Sequence, residues 1–356
     1  MTFVSLSNSA WQIYPTTVNG VTYYPIYAAG NNISAGYNLE VDLIPMRNLW
    51  VANGGAGNVS MIYYSNNTLA KKILNATTGT YSYGLVAVGS SPVGIAITPN
   101  GQYVYVANYN GNSISVISTS SNSVIKNISV AHPADVAITP NGQYVYVNTE
   151  LNTTSVISTS SNSVVATIPI DYPEGIAITP NGQYVYVTST VDNKTSVIST
   201  ATNSVIATIR VGYWPTDVAI TPNGQYAYVV NANSDTVSVI STSSNSVVAT
   251  IPAGLVPNPY TISITPNGKY AYIGVYQDPI VYVISTSSNS VVATIPVGSE
   301  PRGITITPNG QYVYVANHNS NSISVISTSS NSVVTNITGV PAYPCGINYG
   351  PLGSVC

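Results

Sequence analysis

Four charged residues occupy corresponding places along the chain and are its strongest candidates for chemistry. Each stands one or two positions after a recurring proline, and they are Asp135, Glu174, Asp217 and Arg302. Carboxylates that converge with backbone carbonyl groups can hold a hard cation such as Ca²⁺. They can equally be solvated charges that cap loops on a rim, because no DxDxDG-type calcium loop is present. Asp135, Glu174 and Asp217 are therefore candidates for a cation site, with Ca²⁺ as the one cofactor considered.

Aromatic side chains in the same segments form a candidate interaction face, together with Arg302. They are Tyr109, Tyr172, Tyr213, Trp214, Tyr260 and Tyr276. Rings beside Asn, Asp and Ser are what a carbohydrate or a protein partner docks against. Trp214, in the segment GYWP, is the best single anchor for a partner. The alternative is that it packs over a junction between structural units.

Residues for catalysis are sparse. The two histidines, His132 and His318, lie in different repeats, which excludes a site built from several histidines. No nucleophile elbow, HExxH motif or phosphate-binding loop is present. A lactonase or a quinone-dependent dehydrogenase built on a propeller would need a denser set of Glu, His, Arg and Asn. We therefore expect no enzymatic activity, and an enzyme or small-ligand binder that uses the mouth of a central channel is the rival hypothesis.

Cysteines and glycosylation sequons complete the candidate sites. Cys345 and Cys356 lie in the last twelve residues and either form a disulfide or remain as thiols. The sequons at Asn58, Asn152 and Asn193 fall in segments predicted to be exposed, so these are candidate N-glycosylation sites. Sequons are no more numerous than a chain so rich in Asn, Ser and Thr would contain by composition alone.

A repeat of about 40 residues must position all of these side chains. Its Pro-Asn-Gly turn recurs at steps of 40 to 44 residues, at Pro99, Pro140, Pro180, Pro222, Pro266 and Pro308. A degenerate first copy surrounds Pro45, which gives seven copies. Repeats of this period that contain four strand-like runs are typical of propeller blades. The sequence therefore predicts an all-β fold, a seven-bladed β-propeller.

Each copy reads as four antiparallel strands rich in Val, Ile, Thr and Tyr. In the second copy these are GIAIT, QYVYVAN, SISVIST and VIKNISV, with tight turns at Pro-Asn-Gly-Gln and Ser-Asn-Ser. Because every repeat contains its own four strands, we expect the ring to close without an exchange of strands between the termini. The predicted organisation is a non-repeating segment over 1–36, the propeller over 37–339, and a Pro/Gly-rich tail over 340–356.

The repeat resembles the YVTN family of β-propellers, which occurs in archaeal and bacterial surface proteins. The tetrad that names this family is present as Tyr105-Val-Ala-Asn108 and Tyr314-Val-Ala-Asn317, and as Trp50-Val-Ala-Asn53 in the first copy. Three copies lack its Asn, which affects a local turn contact. The resemblance covers about 300 residues and implies an exported, surface-layer-like or adhesive propeller. It provides no catalytic residues to transfer.

The two faces of the predicted disc differ in how much their loops vary. On one face the turns TPNG and STSSNS recur almost unchanged, whereas the loops on the other face differ in every copy. All eleven acidic residues are expected on the variable face or its rim. We therefore expect a disc with two electrostatically different sides, whose variable face makes the contacts.

Composition narrows the class of protein further. Charged residues make up only 5% of the chain and the net charge is −3, so a nucleic-acid partner is not expected. No apolar run is long enough to span a membrane. The first residues, MTFVSLSNSAWQIYP, do not resemble a signal peptide, so either a leader has been removed or the protein leaves the cell another way, such as inside a virus particle.

These observations favour a non-catalytic scaffold on a cell or virion surface. Its partners would be other surface or capsid proteins, or glycans, within a larger assembly. The alternatives are a virion structural or receptor-binding protein from a virus of an extremophile host, and the propeller enzyme or small-ligand or cation binder described above.

Overall fold

The computed structural model describes residues 48–65, 84–252 and 258–349, together with short strands at 16–18, 21–23, 68–69, 73–74 and 81–82. Most of the segment predicted over 1–36 lies outside the described residues. Its described part is a two-stranded sheet in which Thr16–Val18 pairs with Val21–Tyr23. In the described part of the chain, no helix is long and apolar enough to cross a membrane.

Seven four-stranded antiparallel sheets form the blades of a β-propeller, which confirms the predicted fold. We number the blades one to seven from Asn48 onward, and the strands of each from the channel outward. The innermost strands, in blade order, are Pro344–Tyr349, Pro92–Ile97, Pro133–Ile138, Pro173–Ile178, Pro215–Ile220, Pro259–Ile264 and Pro301–Ile306. The second strands are Asn48–Asn53, Tyr103–Asn108, Tyr144–Thr149, Tyr184–Ser189, Tyr226–Asn231, Tyr270–Val275 and Tyr312–Asn317.

The outer half of each blade is a third and a fourth strand. The third strands are Asn58–Ser65, Ser113–Ser118, Thr153–Ser158, Lys194–Ser199, Thr236–Ser241, Ile280–Ser285 and Ser322–Ser327. The fourth strands are Gly84–Ala87, Ser123–Ser129, Ser163–Pro169, Ser204–Arg210, Ser246–Pro252, Ser290–Pro296 and Ser332–Thr338. Short strands outside this scheme are Thr68–Leu69, which pairs with the third strand of blade one, and Ile73–Leu74, which pairs with Tyr81–Ser82. A 3₁₀ turn, Ala232–Ser234, lies in a loop of blade five.

The ring closes by an exchange of strands between the two ends of the chain, contrary to expectation. Blade one takes its second, third and fourth strands from residues 48–87 and its innermost strand from Pro344–Tyr349. The propeller thus extends past residue 339, into the segment predicted to be a tail. Closure in this way pairs both edges of blade one's second strand, which would otherwise be the edge strand of its sheet.

One large aromatic side chain from the second strand fills the core of each blade. These residues are at most 2% exposed, and they are Trp50, Tyr105, Tyr146, Tyr186, Tyr228, Tyr272 and Tyr314. In blades two to six the tyrosine hydroxyl donates a hydrogen bond of 2.6–2.9 Å to an Asn side chain in the next blade. The accepting residues are Asn162, Asn203, Asn245, Asn289 and Asn331. Buried hydroxyl groups thereby obtain partners, and neighbouring blades are joined.

These contacts explain why the turns of one face are constant. The accepting Asn of each Ser-Ser-Asn turn (Thr-Asn in one copy) has a positive φ near 50°, a conformation that Asn tolerates better than most residues. In the other turn the glycine also has positive φ, as at Gly142, and it sits against Pro99 of the preceding blade. These constant turns therefore contact a neighbouring blade as well as their own.

Candidate functional site

The second residue of the innermost strand lines the channel mouth on the variable face. In this position stand Val93, Ala134, Glu174, Tyr260, Arg302 and Cys345, and all six border a cavity of about 240 Å³. Tyr109, Glu150 and Asp135 complete its wall. The sequence prediction grouped the first and second positions after the proline. Glu174 and Arg302 occupy the first position and border the cavity, whereas of the two acids at the second position Asp135 borders it and Asp217 does not.

A strained loop residue precedes each innermost strand and sets the direction in which the side chains of the mouth project. The residue before the innermost strand has positive φ in all seven blades, at Ser91, His132, Tyr172, Trp214, Asn258, Glu300 and Tyr343. A non-glycine residue pays a conformational cost there, and a following proline adds a further restriction. Side-chain oxygens hold the conformation: Asn152 accepts the N–H of Tyr172 and Asn193 accepts that of Trp214, both at 2.9 Å. The proline that follows then begins the strand with its second residue facing the channel.

Glu174 is the carboxyl group best placed for chemistry. Burial, and secondarily the negative charge of Glu150, raise its pKa from 4.5 to about 7. The hydroxyl oxygen of Tyr260 lies 3.5 Å from Glu174 Oε1, at the outer limit of a hydrogen bond, and acts in the opposite direction on this pKa. A carboxyl group with a pKa near neutrality can exchange protons with a ligand at physiological pH.

A second acid, Glu150, faces the same cavity and was not singled out from the sequence. It lies directly after the second strand of blade three and accepts a short hydrogen bond from the hydroxyl of Tyr109. That bond is the main cause that raises the pKa of Tyr109 to about 12. Tyr109, predicted as part of a docking face, is therefore a mouth residue held by a carboxylate. Glu150 is the first residue after the second strand of its blade, as Tyr109 is in blade two. A comparison of this loop position between repeats is the sequence feature that could have identified Glu150.

Arg302 brings a positive charge to the opposite side of the mouth. Its Nη2 atom lies 3.4 Å from Glu300 Oε2 and donates a 3.0 Å hydrogen bond to the hydroxyl of Tyr276. The guanidinium carbon also lies 5.0 Å from the centre of the Tyr276 ring, which orients the group through a cation–π contact. Tyr276 in turn packs on Tyr260, with 5.3 Å between ring centres. Three predicted interaction residues thus form one connected wall.

Asp135 and Asp217 are structural groups that join neighbouring blades, although Asp135 also borders the mouth cavity. Each is 2% exposed, and each carboxyl group accepts backbone N–H groups from its own blade and from the next. Asp135 accepts from Val136 at 2.7 Å and from Ile176 at 3.1 Å. The predicted alternatives, a cation site or solvated rim charges, both place these carboxyl groups toward solvent, and the structure places them between blades instead.

A second cavity, of about 410 Å³, opens at the constant face. It is bordered by the isoleucine that ends the innermost strand in six blades and by the proline of the following turn in five. Ser263 and Asn348 carry the polar side chains on its wall. The described length of the channel therefore has a charged end and an apolar end.

Other predicted residues lie away from the mouth. Tyr213, Tyr172 and Trp214 are 67%, 51% and 46% exposed on the variable face. In each predicted glycosylation site the Oδ1 atom accepts a hydrogen bond, from Asn53 in the case of Asn58. Glycosylation stays a prediction.

The buried Cys345 lies with its sulfur 3.2 Å from His318 Nδ1. Cys356 lies outside the described residues, so the predicted disulfide stays a prediction. Among the described residues, no group of three or more His, Cys, Asp or Glu side chains is arranged to hold a metal ion.

Comparison with known proteins gives a family match across more than half of the chain. The model of the family described as lactonase, 7-bladed β-propeller, matches residues 131–250 and 246–339. No curated protein sequence matches significantly. The YVTN family is not indicated by these comparisons.

Solved structures share the fold over most of the chain. Hydrazine synthase from Kuenenia stuttgartiensis is 25% identical, with a TM-score of 0.64 over 83% of this chain and 99% of that one. A functionally unknown protein from Desulfotomaculum acetoxidans is 22% identical, with a TM-score of 0.70 over 85% and 98%. A candidate 6-phosphogluconolactonase from Bacteroides uniformis is 18% identical, with a TM-score of 0.71 over 85% and 99%.

These matches contradict the expectation of a non-catalytic surface scaffold without enzymatic activity. The lactonase family model, which matches more than half of the chain, favours the rival hypothesis of a propeller enzyme. The sequence argument failed because it required many catalytic residue types. Burial can instead shift the pKa of a single carboxyl group, as it does at Glu174. A count of candidate catalytic residues in the sequence does not show which of them are buried.

Proposed function

The chain belongs to the lactonase, 7-bladed β-propeller family, and on that premise we propose that it hydrolyses a lactone at the channel mouth, with Glu174 as the general base. The observation that carries the proposal is the pKa of Glu174, raised to about 7 by burial in a cavity that also contains Arg302 and Tyr260. Efficient general bases have a pKa close to the pH at which they work. The cavity is also of a size that holds a small ring and one water molecule.

The reaction needs one water molecule and no other reactant. Ionised Glu174 removes a proton from water as the water oxygen bonds to the lactone carbonyl carbon. The tetrahedral intermediate then collapses, the ring C–O bond breaks, and protonated Glu174 returns the proton to the departing alkoxide oxygen. The product is the open hydroxy acid, and the enzyme returns to its starting state.

Charge develops on the former carbonyl oxygen in the transition state, and the mouth offers donors for it. Arg302 and Tyr260 line the same cavity as Glu174, and the hydroxyl of Tyr260 lies 3.5 Å from Glu174 Oε1. Preorganised donors aimed at a developing oxyanion stabilise the transition state more than the ground state. The ring contact between Tyr260 and Tyr276 and the contacts of Arg302 hold both donors in place.

The test is the hydrolysis of five- and six-membered lactones. The rate is measured from the acid released at constant pH, and the rate of spontaneous ring opening is subtracted. Glu174→Gln removes the base while it preserves shape, and we expect kcat to fall by about 10²–10⁴-fold. Asp171→Asn is the matched control, because it removes an exposed carboxylate three residues away and leaves the cavity unchanged. Full activity in Glu174→Gln, or equal losses in both variants, would refute the assignment.

A further inference from the structure

The charges of the mouth do not suit a phosphorylated ligand. Arg302 is the one cation on the cavity wall in the described structure, and it already contacts Glu300. Glu150 and Glu174 share that wall, and the other described cations, Lys126, Lys194, Arg210 and Lys269, do not border it. Phosphate recognition generally uses several Arg or Lys side chains or the N-terminus of a helix. A phosphate dianion placed here would meet three acidic residues on the wall, Asp135, Glu150 and Glu174, and one cation.

The wall beyond the mouth suits a hydrocarbon. The apolar cavity of about 410 Å³ is lined by the innermost strands of all seven blades, and six of these strands also border the mouth. In blade four, Glu174 borders the mouth and Ile178, four residues further along the strand, borders the apolar cavity. At about 3.3 Å per residue, some 13 Å separate the two positions along the channel. Apolar walls with few polar groups are typical of sites that bind apolar parts of ligands.

We propose that the substrate is an uncharged lactone that carries a hydrocarbon chain, with the ring at the mouth and the chain directed into the apolar cavity. The substrate class rests on the proposed function, since it names what the same site takes. It separates this chain from an enzyme for a phosphorylated sugar lactone, the activity named for one structural neighbour. Each methylene moved from water into an apolar site strengthens binding about three- to fourfold.

The test compares three six-membered lactones with the full chain: δ-valerolactone, which has no side chain, δ-decalactone, which has an alkyl chain, and the 6-phosphorylated lactone of gluconic acid. We expect kcat/KM for δ-decalactone to exceed that for δ-valerolactone by at least about tenfold. We expect the phosphorylated lactone to be the poorest substrate. Equal rates for the two uncharged lactones, or a preference for the phosphorylated one, would overturn the inference.

A variant of the apolar cavity locates the chain. Ile178→Gln places an amide on the cavity wall at a partly exposed position, so kcat/KM for δ-decalactone should fall about three- to tenfold while that for δ-valerolactone stays unchanged. Ile206→Gln, on the outer strand of the same blade and 50% exposed, is the matched control and should change neither. If Ile178→Gln unfolds, Ile220→Gln tests the same wall in the next blade. Equal losses for both lactones in a folded variant would contradict the placement.

A binding measurement separates this inference from the proposed function. The lactam that corresponds to δ-decalactone, with N–H in place of the ring oxygen, resists hydrolysis. Its binding can therefore be measured by calorimetry without turnover. If no lactone is hydrolysed but this lactam binds at least about tenfold tighter than δ-valerolactam, the hydrolytic function fails and the ligand class stands. If lactones are hydrolysed but the two lactams bind equally, the ligand class fails and the function stands.

Discussion

Asp217 joins two blades: its Oδ2 atom accepts a 2.8 Å hydrogen bond from the backbone N–H of Ile262, on the innermost strand of the next blade. The same oxygen lies 3.2 Å from the hydroxyl of Thr261, and Oδ1 accepts the N–H of Val218 at 2.7 Å. Both carboxyl oxygens are therefore used to connect inner strands. A buried acid with this many donors is a structural element of the ring.

Asp217→Asn should destabilise the fold. An amide nitrogen in place of one carboxyl oxygen would face an N–H donor, either that of Val218 or that of Ile262, and would leave it without an acceptor. The expected loss in the free energy of unfolding is about 1–3 kcal/mol, measured by guanidinium denaturation. Asp171→Asn, at an exposed position, should change it by less than about 0.5 kcal/mol. Equal stability of the two variants would show that Asp217 does not join the blades.

Stability should increase as the medium becomes more acidic. Burial raises the pKa of Asp217 from 3.8 to about 7 and that of Glu174 from 4.5 to about 7, and it raises the pKa of Asp135 as well. The folded state therefore binds more protons than the unfolded state between about pH 4 and pH 7. Stability is greatest below the unfolded pKa values and is lost as the pH rises through this window. A higher Tm at pH 4.5 than at pH 7.5 is expected in thermal scans, and a lower one would contradict these shifts.

The pH dependence of catalysis should report Glu174. Since the base must be ionised, kcat/KM should rise with pH, reach half its maximum near pH 7, and fall tenfold per pH unit on the acid side. Tyr260→Phe removes the hydroxyl that lowers this pKa, so the midpoint should move to higher pH. Glu150→Gln removes a negative charge that raises it, so the midpoint should move to lower pH. Midpoints that stay unchanged in both variants would exclude Glu174 as the titrating group.

The tyrosine bonds between blades should contribute measurably to stability. Tyr146 is fully buried, and its hydroxyl donates a 2.6 Å hydrogen bond to the side chain of Asn203 in the next blade. Tyr146→Phe should lower the free energy of unfolding by about 1 kcal/mol, because one hydrogen bond is lost and the ring stays packed. Tyr144→Phe, two residues earlier on the same strand and partly exposed, should have little effect. Equal effects from both substitutions would argue against a role for the bond between blades.

The sequence was most informative where one repeat determines its own structure. The Pro-Asn-Gly turn needs positive φ at its glycine, and Gly101, Gly142 and Gly182 have it. Closure was predicted wrongly because Pro344-Cys-Gly-Ile-Asn-Tyr has few of the β-branched residues that mark a strand. Its spacing nevertheless matches Pro173-Glu-Gly-Ile, the start of an innermost strand, and that match was the available signal.

The candidate site was predictable in position but not in chemistry. Glu174 and Arg302 were placed at the mouth, and Asp135 and Asp217 were grouped with them although they are one position further along the strand. Beside Asp217, a Cβ at Gly175 would come within 2.6 Å of its Cα atom, so a small neighbour in the adjacent blade makes room for the buried acid. Such a relation between blades is absent from any single repeat. The pKa of Glu174 likewise depends on burial by several blades at once.

Gly346 tests how the ring is closed. It lies in the C-terminal strand, where a Cβ atom would clash with the carbonyl oxygen of Val93 on the innermost strand of blade two. Gly346→Ala should therefore force these strands apart and lower the free energy of unfolding by about 1–3 kcal/mol, measured by denaturation. Gly54→Ala is a matched control in the same blade, because its Cβ would find neighbours no nearer than 3.4 Å at an ordinary contact distance. If both glycines accept alanine equally well, the C-terminal strand does not pack against blade two as closely as closure requires.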